Sequence, residues 1–253
     1  MQTQEHPFKV YWQPGCSSCV KVKEFLTSME VPFVSVNVLA EPTGFDELLK
    51  FGVRTVPIVS KGDEFVFAQE LADVAKFVGI PFSGRRLSIP QLVERWIYLL
   101  ECARELITLI PDDKLEYRPV AERPRTMRDL SYHIFQSPHA FLEAMENGLE
   151  DLRTIFSVKR PDLKTKDDVL GYADSILARL KDWAARPLPT EQDMIQVYYG
   201  LQPVHGVLER STWHSAQHIR QLAFVLDGFG EQGSSLLRPD AYDGLPMPIG
   251  VWE

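Results

Sequence analysis

Cysteine is scarce in this chain: three residues in 253, two of them (Cys16 and Cys19) within one short motif. That excludes a small scaffold held together by disulfides, and the expected setting is reducing and cytoplasmic. Long apolar runs are missing too. No stretch approaches the roughly 20 residues of a membrane helix. The opening MQTQEHPFKVYW lacks the basic-then-apolar layout of a secretory signal. No basic cluster stands ready to neutralise phosphates, and a net charge of -8 argues against nucleic acid as a partner. No internal repeat or low-complexity tract is present. What remains is an ordinary globular composition, 45% hydrophobic and 25% charged, long enough for one or two domains with substantial cores.

The pattern changes once along the chain. Phe8 to Trp12 is β-rich, and QPGCSSC then forms a turn that opens a helix. In that helix Val22, Phe25, Leu26 and Met29 recur at helical spacing. VPFVSVNV reads as a second strand. GFDELLKFG reads as a short helix stopped at Gly52. TVPIVSKGDEFVFA reads as two strands joined at Lys61-Gly62-Asp63, and ELADVAKFVG as a closing helix. Ile80 to Pro90, rich in Pro, Gly, Ser and Arg, reads as a linker. Beyond it the signal is helical. Leu92, Trp96, Leu99, Ala103, Leu106 and Ile110 mark an amphipathic helix of about five turns. Met127–Met145, Lys166–Ala185 and Val207–Phe229 are the expected second, third and fourth helices. Pro138 is expected to kink or interrupt the second. MIQVYYG is a short strand or extended loop, and the Pro- and Gly-rich tail is irregular. The boundaries that follow are 1–84 for an α/β domain and 85–253 for an all-α domain with an irregular tail.

Cys16 falls where a strand turns into a helix. Exposed N–H groups and the positive dipole end favour a thiolate there, lowering a thiol pKa from about 8.5 to roughly 3.5–7.5. Cys16 is then the nucleophile. Cys19, one turn on, is the resolving thiol that attacks a mixed disulfide and releases the partner. A zinc site would need further ligands, and the third cysteine, Cys102, stands alone on an apolar helix. The segments VYWQPGCSSC, TVPIV and ELADVAKFV, within residues 8 to about 80, resemble a glutaredoxin-like thioredoxin fold. The resemblance implies catalytic Cys16, a cis-proline at Pro57 and backbone recognition of a thiol peptide such as glutathione at Val56, within Thr55-Val56-Pro57. Ser17-Ser18 departs from the common Pro-Tyr dipeptide. Phe67-Ala68-Gln69 replaces the usual glycine-rich segment before the last helix.

His214 and His218, four residues apart, share a helix face and suit one metal ion. A third ligand is needed, from His133, His139, His205 or His6. His133 is the best candidate, in DLSYHIF among apolar neighbours. His139 lies about 240° further round that helix, so the two cannot face one point. Three histidines with an open position form the layout of a catalytic metal site. WHSAQHIRQL, DLSYHIF and LIPDDKLEYRPV, within residues 88 to about 230, resemble the DinB-like (DinB/YfiT) four-helix-bundle family. By that resemblance His133, His214 and His218 are ligands of a divalent metal. Gln221, three positions after His218, either orients a ligand or caps the pocket. Arg210 and Arg220 are candidates for a substrate carboxylate, against the commoner solvated arginine. Tyr198, Tyr199 and Trp213 read as core, His139 and His205 as structural or surface, and Cys102 as a small buried hydrophobe.

The fold class expected is an α/β thioredoxin-like domain followed by an all-α four-helix bundle. The expected activity is a glutaredoxin-like thiol-disulfide oxidoreductase coupled to a metal-dependent thiol transferase or thiol-dependent hydrolase or isomerase. Its expected cofactor is a divalent metal, zinc or nickel first and iron next. Its partners are a low-molecular-weight thiol such as glutathione and an electrophilic small molecule, with no nucleic acid and no membrane. A homodimer through the bundle is a further expectation. The alternative is a redox- or metal-responsive sensor with little turnover.

Overall fold

The computed structural model describes residues 6–82 and 86–252. Part of the linker expected over Ile80 to Pro90, and the boundary expected at 84 and 85, fall on residues 83–85, outside the described residues. So do the first five residues of the opening segment. Residues 6–82 with 248–252 form one compact unit, and residues 86–247 the other.

The first unit is α/β, in the order β1 (Phe8–Trp12), α1 (Ser17–Ser28), β2 (Phe33–Asn37), α2 (Gly44–Lys50), β3 (Ile58–Lys61), β4 (Glu64–Phe67) and α3 (Leu71–Val78). The sheet order is β2-β1-β3-β4. β1 and β2 are parallel and therefore need the α1 crossover, while β1 with β3 and β3 with β4 are antiparallel. The tight β3–β4 connection pairs Lys61 with Glu64 and places Gly62 at φ 60°, a left-handed conformation in which glycine meets no steric penalty. Alternation along β1 sends Val10 to one face and Tyr11 to the other. Val10 joins Val22 and Leu26 of α1 with Val59 and Val74. Tyr11 joins Val36, Leu48 of α2 and Ile58. Each such fully buried aliphatic side chain contributes about 1.5–3 kcal/mol. Met29, placed on the α1 stripe by spacing, lies past the helix end and is exposed. The chain end joins this unit rather than the helical one: the N–H groups of Ile249 and Gly250 donate to the Glu24 carboxylate at 2.7 and 2.9 Å.

The second unit holds α4 (Ile89–Thr108), α5 (Met127–Asn147), α6 (Arg153–Ser157), α7 (Lys166–Ala184), the hairpin β5 (Met194–Val197) and β6 (Gly200–Pro203), and α8 (Val204–Phe229). α8 packs on α4 and α5, and α7 packs on the same two, so four long helices close a bundle. The α4 stripe named from sequence, Leu92 through Ile110, is at most 1% exposed throughout. α5 and α7 begin at capping boxes, Thr126 with Asp129 and Thr165 with Asp168.

α5 runs on through Pro138 instead of stopping there. Proline has no N–H for the carbonyl four residues back, at Ile134. That carbonyl accepts instead from the Ser215 hydroxyl of α8 (3.3 Å), and Ser215 in turn accepts from Trp96 Nε1 of α4 (3.0 Å). One position earlier, the Ser137 hydroxyl donates to the Ser211 carbonyl. The backbone defect is thereby converted into a buried polar tie among three helices.

Candidate functional site

The first unit presents Cys16 and Cys19 joined as a disulfide, with Cα atoms 5.2 Å apart. Gly15, at φ 69°, turns the chain out of β1. Cys16 is the N-cap residue of α1, its carbonyl taking the N–H groups of Cys19 (2.9 Å) and Val20 (3.2 Å). Cys16 is half-buried and Cys19 is 0% exposed. The asymmetry matches an attacking sulfur and a resolving one. The Val56-Pro57 peptide is cis, as the family resemblance implies. Thr55 and Val56 are half-buried, Pro57 is buried, and the Pro57 carbonyl accepts the Ala68 N–H at 3.1 Å.

In the second unit His133 of α5 meets His214 and His218 of α8. Ring centroids lie 5.3 Å (His133–His214), 4.7 Å (His133–His218) and 4.7 Å (His214–His218) apart. One nitrogen from each ring lies within 4.8 Å of the others. Bonds of about 2.0–2.1 Å around a tetrahedral ion would set such nitrogens roughly 3.4 Å apart, a small inward movement. Two rings are oriented by glutamines. His133 Nδ1 faces Gln136 Oε1 at 2.9 Å and His218 Nδ1 faces Gln221 Oε1 at 2.7 Å. An amide oxygen only accepts, so each Nδ1 carries the proton and each Nε2 keeps its lone pair. His214 Nδ1 is buried with no hydrogen-bond partner among the described residues, a cost of about 1–3 kcal/mol.

Electrostatics keep the rings neutral, the form a metal requires. Burial first, then the charge of Arg125, hold His133 and His218 well below the usual histidine range. For His214 burial is again first, followed by His218 and Arg210. Arg125 is itself pushed down to about 9 by burial and by Arg123, with Asp129 opposing, and so stays charged at neutral pH. The donor set thus fits a divalent cation: three neutral imidazoles, two with fixed tautomers and one with an unmet nitrogen.

Of the remaining candidates, Gln221 belongs to the site as the orienting partner of His218. His139 does not; its Nδ1 pairs with the Tyr172 hydroxyl at 3.0 Å. His205 Nε2 donates to the Leu87 carbonyl at 2.8 Å, a structural role. Cys102 is buried, and burial pushes its thiol up. Trp213 and Tyr199 are core, while Tyr198 is half-buried. Arg210 is buried rather than solvated. Sequence reasoning passed over Gln136, although its i,i+3 spacing from His133 repeats that of His218 and Gln221. It also passed over Phe156 of α6, whose ring stands 5.5 Å from His133 and 5.9 Å from His214. Gln136 Nε2 holds that segment by donating to the Ile155 carbonyl at 2.7 Å.

Comparison with known proteins agrees with the geometry of the first unit. The glutaredoxin family model matches residues 8–66. The glutaredoxin-like protein NrdH of Lactococcus lactis subsp. cremoris is 31% identical over 70 residues, covering 26% of this chain and 96% of that protein. The Gene 56 protein of Mycobacterium phage L5 is 37% identical over 54 residues, 21% of this chain and 52% of that protein. Among solved structures, a DinB-like protein from Bacillus subtilis superposes with a TM-score of 0.42 at 19% identity, covering 55% of this chain and 92% of that one. With a redox-motif disulfide at the head of α1 and a relative matched over nearly its whole length, the chain belongs, through its α/β unit, to the glutaredoxin family.

Proposed function

We propose that the chain is a two-domain thiol enzyme. The α/β unit is a thiol-disulfide oxidoreductase, and the helical unit a metal-dependent thiol transferase or thiol-dependent hydrolase or isomerase acting on an electrophilic small molecule. The observation that carries this reading is the pairing, in one chain, of the Cys16–Cys19 disulfide with three converging imidazoles.

In the first half-reaction the Cys16 thiolate attacks one sulfur of a substrate disulfide. A Cys16–substrate disulfide forms and the other substrate sulfur leaves as a thiolate. Cys19 then attacks the Cys16 sulfur and releases the second thiolate. Two electrons have passed to the substrate, and an external thiol reductant restores the dithiol. A low-molecular-weight thiol such as glutathione is the reductant class this implies.

In the helical unit His133, His214 and His218 would hold the ion, with zinc or nickel best suited to three nitrogens and iron next. Such an ion, when bound, supplies positive charge that keeps a ligated thiol deprotonated or lowers the pKa of a ligated water toward ~7. Gln136 and Gln221 fix the rings in the tautomer that presents Nε2. Phe156 packs its ring against His133 and His214. A short tether between redox and triad chemistry would raise the local concentration of the thiol product.

Cys16→Ser and His214→Ala, made separately, test the reading. Cys16→Ser should abolish reduction of a model disulfide and leave metal uptake intact. His214→Ala should abolish thiol conjugation to an electrophile and leave disulfide reduction intact. Full activity of both variants in both assays would end it.

A further inference from the structure

Through His133 the triad adjoins a cavity of about 420 Å3 with a wall dominated by positive charge. His133 and Phe156 line it, and both pack against His214. Arg123 and Arg125 come from the loop before α5, Arg128 from the first turn of α5, and Lys159 and Arg160 from the segment after α6. Among the described residues the single acid in the wall is Asp129, and its carboxylate already accepts the Thr126 N–H at 3.1 Å. Arg128 and Arg160 are paired with Glu116 (3.1 Å) and Asp162 (2.6 Å). Arg125 and Lys159 form no ion pair among the described residues.

Arg125 is the informative one. Its charge acts on all three histidines, and that of Arg123 on His214 and His218. Two neighbouring guanidiniums, half-buried beside imidazoles, repel each other and lose hydration. They also oppose any cation placed at the triad, and three neutral ligands bring no counter-charge. An anion in the cavity offsets all three costs. A guanidinium fork grips a carboxylate or phosphate through two parallel hydrogen bonds.

We infer that this cavity binds a small organic anion, its carboxylate or phosphate held by Arg125 together with Arg123 and its remainder extending toward His133. The volume is at the small end of ligand pockets, which favours a compact molecule over a peptide. Arg123 and Arg125 thus take the place that sequence reasoning offered to Arg210 and Arg220. The site adds a substrate class to the reaction proposed above, yet the binding step needs no ion at the triad.

The test is calorimetric titration of the full chain, stripped of metal by chelation and returned to chelator-free buffer, with inorganic phosphate and with succinate. At least one probe should bind saturably, one per chain. Arg125→Gln should weaken that binding at least tenfold. Arg125→Lys, which keeps the charge but loses the fork, should fall between. Arg104→Gln, which alters an exposed pair with Asp174, should leave it unchanged. Thermal melting of each variant shows that it has folded. Failure of both probes to bind, or equal weakening by Arg125→Gln and Arg104→Gln, overturns the inference. A chain that binds the probes but takes up no metal keeps this inference and loses the triad reading; the converse loses only this one.

Discussion

The two cysteines of the redox motif are not equivalent. Cys16 is half-buried at the head of α1, whereas Cys19 is sealed. Cys19→Ser should therefore accumulate a mixed disulfide on Cys16 when offered a model disulfide, read as an adduct mass on that residue, and Cys16→Ser should take none. An adduct on Cys19 in the second variant would reverse the roles. The glutamines repeat one device, a side-chain oxygen three residues after a histidine, at Gln136 and Gln221. Replacing either with alanine should weaken zinc uptake 10–100-fold, measured by competition with a chromophoric chelator. Unchanged affinity in both would reduce them to packing. Gln221 was legible because it adjoins a histidine pair on one helix. Gln136 was not, since a lone His133 gave no reason to look three residues on. Arg123 and Arg125 were hidden for a different reason: loop residues have no period, and only the folded chain carries them to the triad.

Elements with a strong period or clear turn signals were readable, including the short α2, β3 and β4, whereas α6 and β6 were not. The α4 stripe follows from spacing alone, because it repeats a face over several turns, and β1 from its β-rich composition. α6 has five residues, too few for a helical stripe. β6 (GLQP) ends in Pro203 and has no apolar–polar alternation in its sequence, so its pairing with β5 is what defines it. α8 starts three residues earlier than its apolar pattern, and in that first turn His205 is fixed by a tertiary bond to Leu87. The unbroken α5 is the clearest case of tertiary structure overriding local propensity. Ser215 supplies the partner that Pro138 removes, from a helix far away in sequence. Ser215→Ala strands both the Ile134 carbonyl and Trp96 Nε1 in a dry interior. The loss should be about 1–3 kcal/mol for each group left unpaired, seen as a lower denaturation midpoint for the helical unit. A change below about 0.5 kcal/mol, the size typical of a surface substitution, would show that neither bond matters.

At the scale of the molecule the chain is two compact units with different periods, an α/β sheet domain and a helical bundle, and that change of period was visible at the linker. Where the last residues belong was not visible. The tail lacks any period, and its place with the first unit shows in the fold, for example in the bonds of Ile249 and Gly250 to the Glu24 carboxylate. Among the described residues no helix is long and apolar enough to cross a membrane. The account rests on the helical unit holding an ion through rings drawn from two helices. The most direct measurement is the zinc content of the full chain after saturation and dialysis, beside His133→Ala, His214→Ala and His218→Ala. One zinc per chain in the parent and a large loss in each variant is the predicted result. An empty parent, or variants that retain a full complement, would contradict it.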